Sequence, residues 1–119
     1  MDDNARGPEL LKVASTAIDG ITVVTVTGEI DHTSAGPLIS ALEVSAPADR
    51  PRVVVDMRHV TFMDSSGINV LLTAHHALTQ ADGWLRLAGI TDSVLRTLQI
   101  VGVDTVIPCH TSLHEALGA

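Results

Sequence analysis

The segment that most limits the fold is Arg52-Val53-Val54-Val55-Asp56-Met57. Consecutive β-branched residues favour an extended backbone, because a branched Cβ suits a pleated surface better than the crowded turn of a helix. Successive side chains of a strand point to opposite sides, so a strand that is apolar at neighbouring positions has no face to offer water. It must be covered on both faces, as the strands of parallel α/β sheets are. The rest of the chain agrees: segments with strand patterning alternate with segments of helical length, which implies a single α/β domain.

Residues 1–8 carry Asp, Asn, Arg, Gly and Pro with little to bury, and read as a flexible leader to a domain over 9–119. A short strand is expected at 10–15, a hairpin turn at Asp19-Gly20, and a second strand over 21–26 in which apolar residues alternate with threonine. That strand ends in Gly28-Glu29-Ile30-Asp31. Thr33 or Ser34 can cap a helix to about Ser45, with Leu38, Ile39, Leu42 and Val44 apolar. Pro47 and Pro51 bracket the loop before the valine strand. A helix is expected from about Ser66 to Gln80 and a strand at Trp84–Ala88. Another helix runs from Thr91 or Asp92 to Ile100, with Gly102 at the boundary where glycine is favoured. Residues 104–108 read as a last short strand, and Thr111 or Ser112 opens a closing helix. The order is β-β-α-β-α-β-α-β-α, the opening hairpin adding antiparallel character.

Composition closes several functional classes. Seven Lys+Arg against fourteen Asp+Glu give a net charge of −7, which argues against nucleic-acid or anionic-membrane partners. Lys12 is the only lysine, so no Gly-Lys-Ser/Thr phosphate loop exists, and no two glycines stand two apart, so GxGxxG is absent. No serine has glycine two positions before it, which removes the GxSxG nucleophile elbow. The lone Cys109 allows no internal disulfide and fits a reducing compartment. The acidic start lacks the features of a signal peptide, and no apolar run approaches the roughly 20 residues of a membrane helix. A soluble, cytoplasmic domain is expected.

The segment that carries chemistry is Phe62-Met63-Asp64-Ser65-Ser66-Gly67-Ile68-Asn69-Val70-Leu71-Leu72. Two serines between an apolar strand and a helix fall where first-turn amides have no intrahelical partner, a ready anion site. The plainer alternative is that Asp64 or Ser65 is an N-cap and Gly67 fills a tight space. In helical projection Val70, Leu71, Ala74, Ala77 and Leu78 form the expected core stripe, with Ile68 and Leu72 on its flank. Either the helix is buried over a wide arc, or these two form a small exposed patch beside the serines.

This run closely resembles the phosphorylation motif of bacterial anti-sigma factor antagonists of the STAS-domain family. Gly28-Glu29-Ile30-Asp31-His32-Thr33-Ser34-Ala35 resembles the family's second signature, and the resemblance spans residues 10–117. Asn69 stands where many members have glycine. The resemblance implies a STAS-type single domain, a small mixed β-sheet with helices packed mainly on one side. It implies a switch, not an enzyme: the unphosphorylated protein binds an anti-sigma factor with serine kinase activity and frees a sigma factor. Phosphorylation of Ser66 ends the binding, and a serine phosphatase restores it. The docking residues it implies are Asp31, His32, Thr33, Asp64, Ser65, Gly67, Ile68, Asn69 and Leu72. No metal or other cofactor is expected, and the protein should be a monomer or weak dimer. The alternatives are a STAS scaffold or ligand-sensing subunit of a larger stress-signalling assembly and, remotely, a serine hydrolase with His32 as base.

Other side chains offer less. His75 and His76 point about 100° apart on a helix, so they cannot grip one metal as a pair. His110 and His114 share a face only if the last helix starts before His110, and Cys109 reads as a small buried hydrophobe. Asp56 can pair with Arg58 or cap a turn.

Overall fold

The valine run lies at the centre of a five-stranded sheet in the computed structural model, which describes residues 11–45 and 49–118. The strands are β1 (Lys12–Ile18), β2 (Ile21–Ile30), β3 (Arg52–Met63), β4 (Trp84–Ala88) and β5 (Cys109–His110), and they lie side by side in chain order. β1 and β2 form an antiparallel hairpin, with Ile18 opposite Ile21. Its two-residue turn, Asp19-Gly20, has positive φ at both positions, 52° and 80°, as a turn matching the strands' twist requires. The β2–β3, β3–β4 and β4–β5 pairings are all parallel.

Sequential order fixes where the helices go. Each parallel connection adds its strand in the same direction, so connections of one hand put their helices on one face. Leu38 and Leu42 of α1 (Gly36–Ser45), Leu71 and Leu78 of α2 (Ser65–Gln80), and Val94 and Leu98 of α3 (Asp92–Val101) share one buried cluster with Val53, Val55 and Met57. Val54 points the other way, into a smaller cluster with Ile21, Ala88 and Ala116 of α4 (Leu113–Gly118). The helices are thus mainly on one side, with α4 alone on the other, and Val53, Val54 and Val55 are each 0% exposed. No helix among the described residues is long and apolar enough to cross a membrane.

Several boundaries differ from the sequence expectation. β2 continues to Ile30 and β3 to Met63, because the strands keep pairing (Thr27 with His59, Glu29 with Phe62, Ile30 with Met63) where side-chain patterning is lost. Irregularities in register fall between Thr25 and Thr27 and between Gly28 and Glu29. β1 extends to Ile18, while Leu10, Pro47 and the 1–8 leader lie outside the described residues. Residues 104–108 are not a strand. Val103–Thr105 is a 3₁₀ turn after Gly102, whose φ of 92° ends α3, and β5 is only Cys109–His110. The turn buries Val103 and Ile107 together, through Ile107 N–H donating to Val103 O at 2.8 Å, and so imitates strand spacing. Ile39, Val44 and Ile100, expected among the apolar faces, are 38, 80 and 79% exposed.

The far-side helix is held by polar contacts. Ser112 Oγ accepts from Glu115 N–H at 3.1 Å, and Glu115 Oε1 accepts from the Thr111 hydroxyl and amide at 2.6 and 3.1 Å, a reciprocal cap. These two donors, the hydroxyl first, hold the Glu115 carboxyl below its ordinary pKa. Arg86 stacks over the Trp84 ring at 3.7 Å and donates to Ala116 O at 2.9 Å. Arg86→Ala should therefore loosen α4 first, costing about 1–2 kcal/mol in urea unfolding. Hydrogen exchange should show α4 amides opening ahead of those of β2 and β3.

Candidate functional site

The loop after β2 is organised by one carboxylate. Asp31 Oδ1 accepts from the Thr33 amide at 2.9 Å, the Thr33 hydroxyl at 2.7 Å and the Ser34 amide at 3.0 Å. Ser34 Oγ accepts from Asp31 N–H at 2.9 Å and donates to Glu29 O at 2.7 Å, closing the loop onto the strand end. Thr33 and Ser34 therefore fold the loop around Asp31 instead of capping α1. The Thr33 hydroxyl first, then its amide, with Ser34 adding, hold the Asp31 carboxyl below its ordinary pKa. His32 and Thr33 are exposed beside it.

The loop after β3 is the start of a helix. Asp64 is the N-cap of α2, in extended backbone with φ −104° and ψ −170°. Its Oδ1 accepts from Ser66 N–H at 2.8 Å and Gly67 N–H at 3.4 Å, and its carbonyl accepts from Ile68 N–H at 3.2 Å. Of the two readings of this segment, an anion site or an N-cap, the N-cap is the one formed: the Asp64 carboxylate already occupies the helix end. Ser65 is exposed and Ser66 half-buried, and the Ser66 hydroxyl has no hydrogen bond among the described residues.

The two loops meet. Asp64 N–H donates to Ile30 O at 3.2 Å, extending the parallel pairing by one bond past the strands. The first turn of α2 then lies close to both strand ends. A Cβ on Gly67 would come within 2.6 Å of Met63 Cγ and 2.8 Å of Ile30 Cγ2. Glycine is required there by the close approach. Ile30 and Met63, which sequence reasoning did not single out, shape the site, and their pairing in register was the hidden signal.

Not every expected docking residue is at the surface. Gly67 is buried and Ile68 is 5% exposed within the main core, so the helix is buried over the wider arc and the exposed patch is not formed. Leu72 is partly buried against that core, Val70 is half-buried and Ala77 is exposed. Asp31, His32, Thr33, Asp64, Ser65 and Asn69 retain exposure around Ser66.

Other candidates lead elsewhere. Among the described residues no group of three His, Cys, Asp or Glu side chains is placed to hold a metal ion. His110 lies in β5 ahead of α4, away from the helical face of His114. Burial raises the Cys109 pKa, with the Asp104 charge acting the same way, which favours the unreactive thiol. Asp56, 1% exposed, pairs with Arg58 at 3.2 Å.

Comparison with known proteins gives the family and the fold. The STAS domain family model matches residues 12–116. An anti-sigma-B factor antagonist of Listeria monocytogenes is 34% identical over 82 residues, 69% of this chain and 72% of that protein. The crystal structure of an anti-sigma factor antagonist from Mycobacterium paratuberculosis superposes with a TM-score of 0.84 at 27% identity, covering 94% of this chain and 95% of the other. The Bacillus cell fate determinant SpoIIAA in the phosphorylated form shares the fold, with a TM-score of 0.69 at 17% identity over 90% of this chain and 97% of that one.

Two measurements check the site. Gly67→Ala should destabilise by about 1–3 kcal/mol in urea unfolding, because Met63 and Ile30 must give way to the added methyl. The Asp31 contribution has a definite sign with pH. Because its folded pKa is depressed, its stabilisation is full above the ordinary aspartate range and fades as pH falls through the lower folded value. Carboxyl NMR should therefore show Asp31 titrating below ordinary aspartates, and Thr33→Val should move it back up.

Proposed function

The chain belongs to the STAS domain family, among its anti-sigma factor antagonists, and from that membership we propose that it is a regulatory binder of an anti-sigma factor, switched by phosphorylation of Ser66. The unphosphorylated form holds an anti-sigma factor with serine kinase activity and thereby frees a sigma factor. The partner transfers a phosphoryl group to Ser66, the complex parts, and a serine phosphatase restores the hydroxyl. In the transfer the Ser66 oxygen bonds to the γ-phosphorus of ATP on the partner, the bridging bond to the β-phosphate breaks, and a base on the partner takes the hydroxyl proton.

The observation that carries this reading is the pairing of an unengaged Ser66 hydroxyl with an already capped helix end. A free, half-buried hydroxyl at the tip of a rigid helix can be presented to a kinase. Phosphate there adds about −1.5 to −2 charges. It finds the Ser66 and Gly67 amides already engaged by Asp64, whose own charge opposes it. The repulsion is expressed at the surface, against the bound partner. The phosphorylated SpoIIAA structure, which has the same fold, fits a switch without refolding. A hydrolase reading has less support, because neither serine hydroxyl is hydrogen-bonded to a histidine among the described residues.

The test uses the cognate anti-sigma factor and ATP, with phosphate located by mass spectrometry. Ser66→Ala should bind and take no phosphate; stoichiometric labelling of that variant would reassign the site. Ser66→Asp should bind at least about tenfold more weakly, roughly 1.4 kcal/mol, in calorimetric titration. Undiminished affinity would show that charge is not the switch.

A further inference from the structure

A groove of about 230 Å³ runs between α1 and α2 on the outer side of the helical layer, with Ile39 on one wall and Val70, Thr73 and Ala77 on the other. Its position relative to Ser66 follows from helix geometry. Ser66, Val70, Thr73 and Ala77 are separated by four, three and four residues, spacings that stay on one side of an α-helix. The stripe rises about 17 Å from the serine to Ala77, close to three turns. Asn69 belongs both to the groove lining and to the exposed residues around Ser66, so the groove is continuous with the phosphorylation site.

The groove walls are apolar where solvent would favour polar groups. Ile39 is 38% exposed on α1, and Val70 is half-buried facing the same channel. Threonine and alanine leave the channel open because their side chains are short. The charged residue on its lining is Glu43. A protein that engages the Ser66 hydroxyl lies over the first turn of α2, and its next contact along that side is this channel.

Resting on the function proposed above, we propose that the α1–α2 groove is the apolar half of the anti-sigma factor interface. It takes an amphipathic helix of that partner whose apolar side chains recur at i and i+3 or i+4. A basic or hydrogen-bonding side chain of the partner faces Glu43. Ser66 then controls one end of a longer contact, and the groove supplies apolar affinity that phosphorylation must overcome.

The test is calorimetric titration of the purified anti-sigma factor into the wild type, Thr73→Glu, Ile39→Glu and, as a control, Ile100→Glu. Circular dichroism and sedimentation are recorded for each. Thr73 and Ile100 are exposed, so their variants should fold as the wild type does. Both groove variants should bind at least about tenfold more weakly, and Ile100→Glu should be unchanged. If Thr73→Glu and Ile39→Glu bind like the wild type while Ser66→Asp is weakened, the groove assignment is wrong and the switch stands. If the wild type binds no anti-sigma factor, the functional reading fails and takes the groove with it. If the groove variants alter only self-association in sedimentation, the occupant is a second copy, which overturns the proposal.

Discussion

The hydrogen bond from Asp64 N–H to Ile30 O is the last bond of a parallel pairing that begins where Thr22 meets Val53. Parallel strands place their C-terminal ends at the same edge of a sheet, where their following loops are neighbours. β2 and β3 stay paired to their final residues, Ile30 and Met63, so the Asp31 turn and the Asp64 cap start side by side. Gly67 completes the arrangement by letting α2 start against both strand ends. The site is therefore a consequence of strand length. Shortening either strand would separate the two loops while leaving each locally intact.

Much of this order was legible in the residues. The valine run dictated a strand covered on both faces, Asp19-Gly20 dictated a hairpin turn, and Gly102 marked the end of α3. What escaped was decided by hydrogen bonds that ignore side-chain polarity. Arg58 and His59 interrupt the apolar pattern of β3, yet their backbone lies within a strand that goes on pairing with β2. The 3₁₀ turn at Val103–Thr105 escaped for the opposite reason: its side chains have strand-like spacing while its backbone coils. At the site, the chemistry of Asp-Ser-Ser-Gly pointed to the right helix end. The occupancy of its amides depended on which way the Asp64 side chain turned, and a capping carboxylate turns inward to the donors.

The two acidic residues of the site share a design. Asp31 and Asp64 each spend a carboxylate oxygen on amides of their own loop, so the loops are ordered before any partner arrives. Prior order lowers the entropy lost on docking. It also fixes negative charge close to Ser66. In a chain of net charge −7, one phosphoryl group changes the total only moderately. Under the proposed switch, its effect would come from arriving beside Asp64, which already holds the Ser66 and Gly67 amides.

Placement of the single tryptophan has a practical consequence. Trp84 packs with the smaller cluster under α4, its ring covered by Arg86, on the sheet face opposite α1 and α2. Its emission is thus a natural optical reporter of whether the C-terminal segment is seated. A partner docked on the helical side, as proposed, would sit across the full thickness of the sheet from this fluorophore. For a complex of that kind, titrations that follow intrinsic fluorescence would be nearly silent on this chain's side, and a label on the helical face would be the better gauge of association.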